Sequence, residues 1–96
     1  MGIRKTVDLT FSFAVMGVPE SQEQKYSYHG VSVTIDEKES GGTQQLYVTL
    51  HEELEGLPEI NHAWLTYDGK TLEGIAKFTR ENVVTISLYR DQGING

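Results

Sequence analysis

Apolar and polar residues alternate along the first part of the chain. In residues 7–15 every second side chain is apolar, and those between are polar or small. Because successive strand residues point to opposite faces, this alternation predicts a half-buried strand and not an amphipathic helix. The side chains predicted to face the core are Val7, Leu9, Phe11, Phe13 and Val15.

A second predicted strand begins near Lys25 and changes the parity of its apolar positions at residues 29–30. Aromatic residues occupy the even positions Tyr26 and Tyr28, and the apolar residues that follow occupy odd positions. One interpretation is a β-bulge at Gly30, which adds a residue to one strand of a pair. The other is that both tyrosines face solvent.

The middle of the chain predicts two loops, a strand and a short helical segment. Residues 17–24 and 36–43 are polar and rich in turn residues, so both are predicted to be loops. A third strand carries Leu46, Val48 and Leu50. Glutamate and leucine in residues 51–58 favour one or two helical turns, which Gly56 and Pro58 would end.

The last third of the chain predicts a three-stranded meander. The pair Asp68-Gly69 between alternating segments is typical of a type I′ hairpin turn. In that register Trp64 lies opposite Glu73. A three-residue loop over 80–82, with Asn82 in the left-handed conformation, continues the meander. The shared inward face comprises Ala63, Leu65, Tyr67, Leu72, Gly74, Ala76, Phe78, Val84, Ile86 and Leu88.

These elements predict one β-rich domain over residues 1–96. About six strands and no sustained helical period indicate an all-β fold. The architecture expected is a small antiparallel β-sandwich or partly closed barrel with a C-terminal three-stranded meander.

Charge and composition exclude several classes of function. Eight basic and fourteen acidic residues give a net charge of -6, so nucleic acid is not an expected ligand. An acidic surface serves solubility or binds a basic protein, and solubility is the simpler interpretation. The chain has no cysteine, which favours a reducing compartment, and we expect a cytoplasmic protein. The N-terminus lacks the apolar core of a signal peptide, and no apolar run approaches the ~20 residues of a membrane helix.

Catalytic and metal-binding motifs are missing from the sequence. It contains no phosphate-binding loop, no dinucleotide fingerprint and no nucleophile elbow, so we expect neither an enzyme nor a cofactor. His51, Glu53 and His62 could offer nitrogen and oxygen ligands to a metal, but their spacing matches no known pattern. Ordinary surface histidines are the simpler interpretation, and no metal site is predicted.

The outward face of the meander carries the candidate binding residues. The hairpin register places Trp64, Glu73 and Tyr89 in one row, with His62 beside them. Aromatic residues of this kind anchor protein interfaces, and they also stack on sugars. A third interpretation buries Trp64 and Ile75 under a loop as part of a second small core.

The sequence therefore predicts a non-enzymatic module that binds another protein, as an inhibitor, an immunity protein or an accessory subunit. The alternative is a carbohydrate or small-molecule binding module that uses the same aromatic face. An enzyme using histidine and glutamate ranks third. A homodimer is also expected, formed by face packing or by pairing of exposed edges at residues 46–50 or 83–89.

Overall fold

Six antiparallel strands form a closed barrel in the computed structural model, which describes residues 2–89. The order around the barrel is β1-β2-β3-β6-β5-β4, and β4 pairs with β1 to close it. The all-β prediction is confirmed, and the architecture is a closed barrel. The strands are β1 (Ile3–Ser12), β2 (Lys25–Ser40), β3 (Thr43–Leu50), β4 (His62–Tyr67), β5 (Lys70–Arg80) and β6 (Val83–Leu88).

Two three-stranded meanders, β1–β3 and β4–β6, make up the barrel. They join along two seams, where β1 pairs with β4 and β3 pairs with β6. Antiparallel pairing brings the connections 13–24, 51–61 and 81–82 to one end of the barrel, which we call the loop end. The opposite end carries two short turns, at residues 41–42 and 68–69.

The core fills the inside of the barrel with alternate residues from all six strands. The predicted register of the C-terminal meander is confirmed, with Leu65 opposite Leu72 and Phe78 opposite Val84. Asp68 and Gly69 both have positive φ, as a type I′ turn requires. The apolar residues buried in the core are Val7, Leu9, Phe11, Val31, Val33, Ile35, Leu46, Val48, Leu50, Ile60, Ala63, Leu65, Tyr67, Leu72, Ala76, Val84, Ile86 and Leu88.

The parity change in β2 is a β-bulge. A single residue of β1, Asp8, faces both His29 and Gly30, because the flanking pairs are Val7 with Val31 and Leu9 with Tyr28. Gly30 has a φ of 67° and donates its N–H to Asp8 Oδ1 at 3.0 Å. The extra residue turns Tyr28 inward, so the interpretation that it simply faces solvent is wrong. The Tyr28 ring packs against Phe11 with 6.3 Å between centroids.

The first strand is shorter at its C-terminal end than the alternation predicts. It ends at Ser12, so Phe13 and Val15 are exposed and do not join the core. The cause is the side chain of Asn61, whose Oδ1 accepts the N–H of Ala14 at 2.7 Å while its Nδ2 donates to the Ala14 carbonyl at 2.9 Å. These two bonds take the place of ladder bonds, and the chain leaves the barrel wall.

The predicted loop at residues 36–43 is instead a hairpin. Strands β2 and β3 continue until Ser40 pairs with Thr43. Gly41 and Gly42, with φ of 59° and 82°, make the two-residue turn.

The helical turns predicted at residues 51–58 are absent, because this connection consists of bends and turns. His51 and Glu52 form a bend, and Glu55 and Gly56 form a turn in which Gly56 has a φ of 73°. Within residues 2–89 the helical element is a short 3₁₀ turn, Glu20–Gln22, inside the predicted loop 17–24.

The connection between β5 and β6 is a two-residue turn at Glu81 and Asn82. The register shifts between Phe78, which pairs with Val84, and Arg80, which pairs with Val83, so Thr79 is the extra residue on β5. The left-handed conformation predicted for Asn82 is wrong, since Asp68 is the non-glycine residue with positive φ in the described part of the chain.

Closure of the barrel removes the edges that a dimer could use. Strand β3 pairs with β2 on one side and β6 on the other, and β6 lies between β3 and β5. Dimerisation by edge pairing at residues 46–50 or 83–89 is therefore wrong, because the backbone there is already paired with neighbouring strands. Dimerisation by face packing stays a prediction.

Candidate functional site

The four predicted site residues lie together on the outer wall of the barrel. His62 and Trp64 stand two residues apart on β4 and so share its outward face. Glu73 of β5 lies directly opposite Trp64, and Tyr89 donates its backbone N–H to the Glu73 carbonyl at 3.2 Å. We call these four residues the His62 cluster.

Hydrogen bonds and ring contacts hold the imidazole of His62 in place. Its Nε2 lies 2.7 Å from Glu73 Oε2 and 3.5 Å from the Tyr89 hydroxyl. The imidazole stacks on the Trp64 ring with centroids 4.2 Å apart, and the Tyr89 ring meets it edge-on at 5.7 Å. With 8% of its surface exposed, His62 is the fixed centre of the cluster.

Trp64 is partly buried and makes contacts on its ring face. His62 covers part of the indole, and the ammonium of Lys25 lies over the ring, 4.8 Å from its centroid. Lys25 belongs to β2, which is separated from β4 by β1. Its contact with Trp64 could therefore not be predicted from the register of the last three strands. Two side chains therefore already contact the indole ring where a stacking ligand would lie.

The connection 13–24 folds back onto this cluster. Ser12, which is fully buried and opposite His62, donates its hydroxyl to Glu23 Oε1 at 2.9 Å. Ser12, His62 and Glu73 are the residue types of a catalytic triad, but their hydrogen bonds are different. The serine hydroxyl bonds Glu23, while His62 Nε2 bonds Glu73, so this geometry gives no nucleophile-to-base hydrogen bond. The contacts fix the loop against the barrel wall.

Exposed apolar side chains lie beside the His62 cluster and on the loop that follows Ser12. Ile75, which pairs with His62, is 59% exposed, and Tyr89 is 39% exposed; the interpretation that a loop buries Ile75 is wrong. The other exposed large apolar residues of this region are Phe13, Val15, Met16 and Val18.

The sequence prediction missed the loop residues because the alternation assigned Phe13 and Val15 to the core. The detectable signal is the break in that alternation, where Val15 and Met16 are consecutive and Val18 follows Gly17.

The histidine and glutamate residues considered as metal ligands do not assemble. His51 lies at the end of β3, where its Nε2 is 2.6 Å from Thr34 Oγ1, whereas His62 bonds Glu73 on the outer wall. In the described part of the chain, no three His, Asp or Glu side chains are grouped so that they could hold a metal ion.

Comparison with known proteins assigns no family to this chain. It matches no family model, no curated protein and no solved structure. No helix between residues 2 and 89 has both the length and the apolar character needed to cross a membrane.

Proposed function

We propose that this protein is a non-enzymatic module that binds another protein through one contact surface. That surface consists of the His62 cluster, Ile75 and the loop 13–18. An inhibitor, an immunity protein or an accessory subunit acts in this way, by covering a partner and not by transforming a substrate.

The observation that carries the proposal is the distribution of exposed apolar side chains. Seven large apolar residues are exposed in the described part of the chain, and six of them lie on the loop 13–18 or beside the His62 cluster. The seventh, Ile3, lies at the opposite end of β1. Exposed apolar residues scattered singly need no explanation, but a group rimmed by polar residues is typical of a protein interface.

The rigidity of the cluster also favours protein binding. Ile75 and Trp64 stand on paired strands, and His62 fixes Trp64 and Tyr89 through ring contacts. Side chains that are already ordered lose little conformational entropy when a partner binds. Tryptophan and tyrosine at the centre of such a patch are common binding hot spots.

The charge of the chain indicates the chemistry of the partner. A net charge of -6 speeds association with a basic protein and slows association with an acidic one. We therefore expect a basic partner whose affinity falls as salt concentration rises.

The alternative, a carbohydrate-binding face, is supported less well. A pyranose needs an open aromatic face, and the Trp64 ring already contacts His62 and Lys25.

The test is capture of a partner on the immobilised protein, followed by affinity measurement with that partner purified. Met16→Ser with Ile75→Ser removes two exposed apolar groups that make no core contact. Ile3→Ser is the matched control, since Ile3 is 57% exposed at the other end of β1. We expect the double variant to bind at least about tenfold more weakly and the control to bind normally, since hot-spot side chains contribute about 1–2 kcal/mol or more each.

Three results would contradict the proposal. One is equal binding by all variants, which would place the interface elsewhere. Another is saturable quenching of Trp64 fluorescence by a sugar in the absence of any protein partner. The third is a free protein that sediments as a dimer and dissociates on Ile75→Ser, which would make this surface a homodimer interface; a dimer that packs through another face is compatible with the proposal.

A further inference from the structure

A cavity of about 580 Å³ opens at the loop end of the barrel. It lies between the connection 51–61 and the β5–β6 turn, and its lining includes no residue of the contact surface proposed above. Its walls are joined to the barrel: Leu50 donates its N–H to the Asn82 carbonyl at 2.7 Å, and the Tyr28 hydroxyl donates to the Glu55 carbonyl at 2.9 Å. The volume falls within the roughly 300–1,000 Å³ of small-molecule pockets.

One part of the cavity lining is apolar. Leu50 lines the cavity at the end of β3, and Leu54, Leu57 and Phe78, which also line it, are partly buried against the barrel core. These four side chains offer a surface that an alkyl chain or an aromatic ring could cover. Burying apolar area there would release it from water and favour binding.

The rim of the cavity is acidic. Glu52, Glu53 and Glu81 line it, and all three are exposed. None of these carboxylates forms an ion pair with a basic side chain within residues 2–89. Their combined field attracts a cation and repels an anion of the same size.

We propose that this cavity binds an amphiphilic amine, a small molecule with an apolar body and one cationic nitrogen. The body lies against the leucines and Phe78, and the nitrogen remains at the rim near the glutamates. Both parts of the cavity are needed, since the apolar wall alone would accept a fatty acid equally well. The inference is independent of the contact surface and of any protein partner.

The probes are decylamine and decanoate, used below their micelle-forming concentrations. They share an apolar chain and carry opposite charges. Binding is measured by titration calorimetry, and the site is located by changes in amide NMR resonances. We expect decylamine to bind at one site, to perturb residues 50–58 and 78–82, and to bind more weakly at higher salt. Decanoate should not bind.

Paired charge variants test the role of the rim. Glu53→Gln with Glu81→Gln removes two rim charges, and Glu37→Gln with Glu39→Gln removes two charges near the opposite end of the barrel. Both pairs change the net charge equally, and all four residues are exposed. The rim variant should bind decylamine up to about tenfold more weakly, as expected for ion pairs in partial contact with water. The control should change affinity by less than about twofold, because distant charges are screened.

Several results would overturn the proposal. They are absence of decylamine binding, equal binding of decanoate, equal losses in the two charge variants, and resonance changes outside the loop end. Binding of a blocked lysine peptide in place of decylamine would also overturn it, by assigning the cavity to a partner's side chain. Met16→Ser with Ile75→Ser should leave decylamine binding unchanged, which separates this site from the contact surface.

Discussion

Replacing Gly74 by alanine is expected to destabilise the barrel by about 2 kcal/mol. Gly74 is buried on β5 between Ala63 and Leu88. An added Cβ would lie 2.7 Å from the carbonyl carbon of Ser87 and 3.0 Å from Leu88 Cα, whereas ordinary contact begins at 3.4 Å. All of these are backbone atoms of β6, so no side-chain rotation can relieve the overlap.

The magnitude follows from two opposing effects. Strand β6 must move by more than half an ångström, although its other edge is hydrogen-bonded to β3. Overpacking costs about 1–3 kcal/mol and occasionally more, and an overlap with backbone atoms of a paired strand falls at the upper end of that range. The smaller entropy of an unfolded chain with alanine offsets about 0.4–1 kcal/mol. For a domain of this size, a net loss near 2 kcal/mol lowers Tm by about 10 °C.

Urea unfolding, followed by Trp64 fluorescence and far-ultraviolet circular dichroism, measures the loss. Gly42→Ala is the contrasting variant, because its positive φ of 82° strains alanine while no atom lies within 4 Å of the added Cβ; it should cost about 1 kcal/mol. A Gly74→Ala protein that is as stable as the parent, or more stable than Gly42→Ala, would refute the steric argument.

Three further predictions concern the bonds that shape the loop end and the bulge. Asn61→Ala removes both hydrogen bonds to the Ala14 backbone and should lower the free energy of unfolding in urea by about 2 kcal/mol. Hydrogen exchange at the Ala14 amide should increase. Unchanged exchange would show that these bonds do not hold the loop. Tyr28→Phe removes the hydroxyl that donates to Glu55 and should cost about 1 kcal/mol at pH 7. Burial raises the pKa of Tyr28 above its ordinary 10.0. The stabilisation by the Tyr28 hydroxyl is therefore complete below pH 10 and is lost as pH rises through the folded-state pKa. A stability difference between parent and variant that stays constant above pH 10 would contradict this. Gly30→Ala places alanine at a φ of 67° and should lower the free energy of unfolding by about 1–2 kcal/mol in the same assay. An unchanged free energy would mean that the backbone of the bulge adopts another conformation in the variant.

The C-terminal meander could be predicted from the sequence because its register depends on neighbouring residues. A type I′ turn at Asp68 and Gly69 fixes the pairing of β4 with β5, and the apolar alternation fixes which face is buried. The same local register placed Trp64 opposite Glu73. The candidate site could therefore be predicted before its contacts were known.

The features that were not predicted depend on residues far apart in the chain. Phe13 has the parity of a core residue, but Asn61, 47 residues beyond Ala14, ends the strand before it. Lys25 reaches Trp64 across β1. Closure of the barrel is likewise a property of the two seams and not of any one segment.

The hairpin at residues 36–43 was missed for a different reason. Its strands extend past the apolar core, and Glu37, Lys38 and Glu39 are all exposed. Neither face is buried there, so no alternation marks the strand. The Gly41-Gly42 pair was the available signal, because two consecutive glycines suit a two-residue hairpin turn.

The two seams make the folding of the chain cooperative. Each meander alone is a three-stranded sheet whose apolar face is exposed to water, so each half needs the other to bury that face. Forming the first seam brings together residues as distant as Leu9 and Leu65, and the entropy of that long closure is lost before its contacts are gained. The second seam then closes at little further cost in chain entropy. A protease cut within the connection 51–61 should therefore leave the two halves associated, and both should come apart together in denaturant.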